Sequence, residues 1–239
     1  MTTHAIERLE DAALEFAVAS RLTSYPEGSF VQALQTLAHV EGALRPGWEQ
    51  LLQSAELRAG VDDLRGEYNA LFGSQKERVP LYETEFGRMR GMAKGTELAD
   101  LQGFYQAFGL NLTTEAARRD LPDHVAVQLE FYAVLLARQA ELESAGDEEG
   151  REILLDARKK FLEAHLGRFV SAIAGQPAVA NHPVYGPVFQ TAAGIVDDEC
   201  RALGVRPDPL DFYEKGSDGD EVTCGAANSL CSPVVTPSR

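Results

Sequence analysis

The sequence predicts an all-α protein, and three observations carry that prediction. Apolar residues recur at spacings of three and four through one segment after another, the period of an amphipathic helix. No run of alternating β-branched residues bounded by hairpin turns interrupts them, so strands are not expected. Between Val125 and Ala137 only Gln128 and Glu130 are strongly polar, the pattern of a helix buried in a core.

Taken in order, Ala5 to Leu22 places Ile6, Leu9, Ala13, Phe16 and Ala17 on one face, and the Tyr25-Pro26-Glu27-Gly28 turn stops that helix. Phe30 to Val40 repeats the spacing. Pro46-Gly47 opens a third helix through Trp48, Leu51, Leu52 and Leu57. Asp62 or Asp63 can cap a fourth, DLRGEYNALFG, with Gly73 at its end. The loop SQKERVPLYETEFG follows, and then MAKGTELADLQGFYQAFGLNL carries Leu98, Leu101, Phe104, Tyr105 and Phe108 on one helical side.

Thr113 to Asp120 is polar and charged, which predicts a joint between two unequal halves, 1–113 and 120–213, of one helical domain. Pro122 disfavours the α region at Leu121 and presets its own φ for a helix start. Asp123 is then expected in the first turn, where its charge suits the helix dipole. After the polar turn Ser144-Ala145-Gly146-Asp147, one long helix is expected from Glu148 to Ala174, stopped by Gly175 and Pro177. His182-Pro183 opens the last helix, Pro207 and Pro209 end regular structure, and 214–239 turns to Gly, Ser, Asp, Thr and Pro, the composition of a flexible tail.

The 239 residues are 44% hydrophobic and 25% charged, with a formal net charge of -15. That acidity argues against nucleic-acid backbones and anionic membranes as partners and suits a basic one. The first residues carry acidic side chains and no uninterrupted apolar core, so they do not read as a secretory signal. No run approaches a membrane span, and a cytoplasmic protein is expected. Three cysteines, two of them near the C-terminus, make no disulfide framework.

Signatures for dinucleotides, nucleotide phosphates, serine hydrolysis and zinc proteolysis are absent. A di-iron bundle needs Glu-x-x-His on two helices. The nearest approach, Glu163-Ala164-His165, points the two side chains to different faces. Cys224 and Cys231 are too widely spaced for a zinc knuckle. Cys200 follows three carboxylates, which raise a thiol's pKa and disfavour a nucleophile. No catalytic residue, metal site or cofactor is therefore expected. His124 can cap the first turn of its helix or hydrogen-bond a neighbouring loop, and it can also lie at a binding site. Tyr82 and Glu83 can anchor their loop to the core, His165 can be a satisfied histidine, and Tyr68, Leu71 and Phe72 suit the core.

Four segments in order resemble the TorD/DmsD/NarJ family of molybdoenzyme maturation chaperones. Tyr68-Asn69-Ala70-Leu71-Phe72 is similar to its Y-x-x-L-F segment, and Pro80-Leu81-Tyr82-Glu83-Thr84 to its P-x-Y-E-S/T segment. Leu121-Pro122-Asp123-His124 resembles its E-P-D-H hinge, with Leu121 where the family often has Glu. Phe161-Leu162-Glu163-Ala164-His165-Leu166 resembles its later F-L-x-x-H-L helix. The resemblance spans roughly residues 5–200 and implies a TorD-like helical bundle, hinged near residues 113–124, with no catalysis of its own.

It further implies a cytoplasmic chaperone for a molybdenum oxidoreductase catalytic subunit. The chaperone would bind that subunit's N-terminal, twin-arginine-type segment and hold it until molybdopterin cofactor is loaded. Tyr82, Glu83, Pro122, Asp123, His124 and His165 are the partner-binding candidates, with Asp123 expected to pair with a basic group of the client. On that expectation Asp123→Ala and His124→Ala weaken binding and leave thermal stability nearly unchanged. A monomer and a dimer swapped through the hinge are both compatible with it. Two other readings stay open: a small-molecule or metal-binding helical enzyme using His124 and His165, and a structural subunit of the oxidoreductase complex.

Overall fold

A computed structural model of the chain describes residues 3–40, 44–54, 57, 60–73, 78–87, 94–110 and 121–210. Cys224, Cys231, the tail from 214 and the whole of the expected joint at 113–120 lie outside these residues. Helices α1 (Thr3–Thr23), α2 (Gly28–Ala38), α3 (Pro46–Gln53), α4 (Val61–Phe72) and α5 (Lys94–Ala107) precede the central α6 (Val125–Ala145). Helices α7 (Glu148–Ala164), α8 (Val170–Ala174), α9 (Pro177–Ala180) and α10 (Tyr185–Leu203) follow it. Among the described residues the architecture is helical, with one isolated antiparallel bridge between Tyr82 and His124.

The apolar run of α6 does what its composition requires. Leu129, Tyr132, Leu135 and Leu136 are wholly buried, and each large apolar side chain so buried stabilises the fold by roughly 1.5–3 kcal/mol. Helix α1 lies along α6, and the Ser20 hydroxyl donates to the Ala126 carbonyl at 2.8 Å across their contact. Helix α10 packs against α1, α3 and α8. One apolar cluster therefore draws on residues from both expected halves, from Phe16 and Phe30 to Phe161 and Phe189. No helix among the described residues is long and apolar enough to cross a membrane.

Charge is also buried here. The Arg158 guanidinium of α7 donates to Gln139 Oε1, Glu199 Oε1 and, at 3.3 Å, the Tyr132 hydroxyl, so it joins α6, α7 and α10. Tyr132 in turn donates to Glu199 at 2.8 Å. Burial, then the charges of Asp197 and Glu199, push the Cys200 thiol up to about 11. The sequence pointed to the carboxylates, and burial is the larger cause.

Several expected boundaries move. Gly60, with φ 131°, is the N-cap of α4 and no side chain caps it; Asp62 and Asp63 fall in the first turn instead. Helix α3 ends at Gln53, before Leu57, because Ser54 is extended at ψ 133°. Helix α6 starts at Val125 with His124 as N-cap, so Asp123 lies outside the first turn.

The long helix expected from Glu148 to Ala174 breaks at His165, whose φ of -132° and ψ of -93° are not helical. A 3₁₀ turn, Leu166–Arg168, separates α7 from α8. Tertiary contact causes the break: the chain beyond α10 returns across this turn, where Leu210 N–H donates to the Arg168 carbonyl at 2.8 Å. A Cβ on Gly167 would stand 2.5 Å from Pro207 Cγ and 2.6 Å from the Leu162 carbonyl oxygen. Gly167→Ala is accordingly expected to cost about 1–3 kcal/mol, read as a lower midpoint in thermal denaturation. An unchanged midpoint would show that the returning segment does not constrain the turn.

Candidate functional site

The site begins with the segment before the 3₁₀ turn Glu83–Glu85. It runs antiparallel to the entrance of α6. Glu83 N–H donates to the Asp123 carbonyl at 3.0 Å, and Val125 N–H donates to the Leu81 carbonyl at 2.9 Å. The Tyr82 and His124 rings meet edge to face with centroids 5.0 Å apart. His124 Nδ1 accepts from Ala126 N–H at 3.2 Å, which is the capping role open to it from sequence. The Tyr105 hydroxyl fixes the proline corner by donating to the Pro122 carbonyl at 2.7 Å. Burial, then the charges of Glu83 and Asp123, hold that phenol well above its ordinary pKa, so it remains a donor.

Asp123 is fully buried, and its Oδ2 accepts from both Thr84 N–H, at 3.2 Å, and the Thr84 hydroxyl, at 2.6 Å. Glu83, 3% exposed, accepts from Gln128 Nε2 at 2.8 Å and faces His165 Nδ1 at 3.2 Å. The other ring nitrogen of His165 stands 3.2 Å from an Asp100 carboxylate oxygen on α5. His165 thus bridges a buried carboxylate to one whose side chain is 62% exposed. Phe104 and Phe161 close on its ring at centroid distances of 5.6 and 5.5 Å.

All six residues singled out in the sequence meet in this one place, but in two roles. Glu83 and His165 line a groove of about 740 Å³, together with Glu97, Asp100, Glu163 and Arg168 among others. Pro122, Asp123 and His124 are buried behind its wall and do not line it, and Tyr82 is half-buried beside them. A client's basic group has no access to Asp123 in this arrangement, because Thr84 and the surrounding core enclose it. The sequence reading missed Thr84, Gln128, Glu97 and Asp100. Gln128 carried a signal, as a polar residue inside an apolar helix. Glu97 and Asp100 carried none, being ordinary charges on a helix surface. Among the described residues no group of three or more His, Cys, Asp or Glu could hold a metal ion.

The Y-x-x-L-F segment is core. The rings of Tyr68 and Phe72 meet Tyr185 at 5.8 and 5.4 Å.

The model of a known family, described as nitrate reductase delta subunit, matches residues 37–174. The chain belongs to that family. The matched span includes all six candidate residues and both walls of the groove contributed by α5 and α7, and it leaves out α1 and α10. The nitrate reductase delta subunit family consists of maturation chaperones rather than catalytic enzymes, and they work with the catalytic subunit of a molybdoenzyme. The match is to a NarJ-type redox enzyme maturation family, one part of the wider grouping the motifs resemble. No curated protein matches the chain.

Proposed function

We propose that this protein is a cytoplasmic chaperone dedicated to one molybdenum oxidoreductase. It binds the N-terminal, twin-arginine-type segment of the catalytic subunit and holds it while molybdopterin cofactor is inserted, before export or assembly. The observation that carries this reading is the groove of about 740 Å³ walled by Glu83, Glu97, Asp100 and His165. Such a segment is basic with an apolar stretch, and a carboxylate-lined groove offers its basic part complementary charge. In this reading Glu83 and His165 touch the client, while Tyr82, Pro122, Asp123 and His124 fix the wall that presents them. Family membership supports the chaperone role, and the -15 net charge of the chain suits a basic partner.

The test is binding of a synthetic peptide of the client's N-terminus, followed by fluorescence anisotropy. Asp100→Lys reverses a charge at the groove rim and breaks the contact with His165. It is expected to weaken binding about tenfold, equivalent to ~1.4 kcal/mol, with a steeper loss at low salt. The fold should tolerate it, since the Asp100 side chain is 62% exposed. Equal affinity of the variant and the parent protein would remove the groove from the client site.

A further inference from the structure

Glu83 and His165 line the groove, yet each is only 3% exposed. The start of α5 reaches across the wall that holds them. Lys94 meets Glu85 at 3.5 Å, Asp100 meets His165 at 3.2 Å, and Phe104 lies against the His165 ring. The helix is anchored unevenly along its length. From Leu101 onward it is fastened to the core: Leu101 and Tyr105 are buried, Tyr105 packs on Phe131 with centroids 4.7 Å apart and donates to the Pro122 carbonyl, and Arg138 donates to the Phe108 carbonyl at 2.6 Å. From Lys94 to Asp100 no residue is buried, and Leu98, the one large apolar side chain there, lies outside the core cluster. Instead, these two turns are tied down by the Lys94–Glu85 pair, partly exposed on both sides, and by the contact of the exposed Asp100 with His165. Ion pairs so open to water hold weakly. A Cβ on Gly95 would meet nothing within 4 Å, so no close approach calls for a glycine in this first turn. Its effect there is to make the helical form easier to leave.

Resting on the chaperone reading above, we propose that Lys94–Asp100 is a strap that swings open about Leu101 to admit the client, with the Asp100–His165 contact as its clasp. With the strap shut, the two groove residues assigned to the client are almost out of reach. With it open they face solvent, while Leu101, Phe104 and Tyr105 keep the rest of α5 in place. Two turns of helix that carry no buried side chain open far more readily than the molecule unfolds. Opening then sets the affinity, because a client that binds only the open form is held in proportion to the fraction of molecules in that form.

Asp100→Lys removes the clasp and a groove charge together, so the experiment uses two substitutions that leave every charge in place. Gly95→Ala stiffens the strap and is expected to lower its opening constant about threefold. Ala99→Gly, which takes only a methyl group from the groove, is expected to raise it about threefold. Native-state hydrogen exchange by NMR on the full chain reads that constant at the amides of Leu98, Ala99 and Asp100. In the parent protein these are expected to exchange at least about a hundredfold faster than Leu135 and Leu136 in α6. Fluorescence anisotropy with a synthetic peptide carrying an arginine pair ahead of an apolar stretch reads the affinity. It is expected to fall about threefold in Gly95→Ala and to rise about threefold in Ala99→Gly. A groove that stands open without the strap moving predicts neither change. Exchange at 98–100 as slow as in α6, or affinities that do not follow the opening constants, overturns the strap and leaves the chaperone reading standing. Absence of peptide binding by the parent protein overturns the groove as the client site, and admission through the strap with it.

Discussion

Asp123→Ala is expected to lower stability by about 3 kcal/mol, a fall of roughly 6–12 °C in the thermal midpoint for a domain of this size. The alanine leaves two donors, Thr84 N–H and the Thr84 hydroxyl, buried with no acceptor where each now has the Asp123 carboxylate. This reverses the neutral effect that the sequence suggested, because a side chain with no exposed surface cannot be removed without cost. Asp123→Asn keeps an oxygen for Thr84 and should cost at most about 1 kcal/mol. Circular dichroism melts of the two variants, with hydrogen exchange at Thr84 N–H, check the assignment. Equal midpoints for Asp123→Ala and the parent protein would sink it.

Arg158→Leu is expected to be at least as severe, at about 3–5 kcal/mol or roughly 6–20 °C. Arg158 is 3% exposed, and its guanidinium is the cation that faces Glu199. Without it, the Glu199 carboxylate keeps only the Tyr132 hydroxyl as a donor and loses its cation, and the Gln139 carbonyl loses its donor, between α6, α7 and α10. Combining Arg158→Leu with Glu199→Leu should recover most of the loss, since removing both partners is far cheaper than removing one. Arg158 does not line the groove, so client affinity per folded molecule should not change. Urea denaturation of the single and double variants provides the thermodynamic cycle. Additive losses would show that the pair is not coupled.

The helices were legible because their stabilising pattern is local. Three-four spacing, the Gly146 stop and the apolar run of α6 all sit within a few residues of what they determine. The break at His165 was not legible, since it comes from Pro207 and Leu210 returning some forty residues later in the chain. The site shows the same division. His124 as a cap and Pro122 at a corner follow from neighbouring sequence. Burial of Asp123 depends on Thr84, and the reach of His165 depends on Asp100 and Glu83, all distant in the chain. Motif resemblance picked out residues that lie close together, but it could not separate those that face the groove from those that hold its wall. That distinction lies in packing.

The bridge between Tyr82 and His124 has a consequence for how the protein is made. Two segments some forty residues apart must find each other before Glu83 is held in place, and His165 joins them from another forty residues downstream. Contacts of such sequence separation carry a large loop-closure cost and form slowly compared with helices. On the ribosome, the α6 partner of α1 emerges about a hundred residues after it. The rim of the groove waits longer still, for Arg206 and Asp208. The groove is therefore among the last features of the nascent chain to exist, and the capture of a client proposed for it has to wait until synthesis has passed α10.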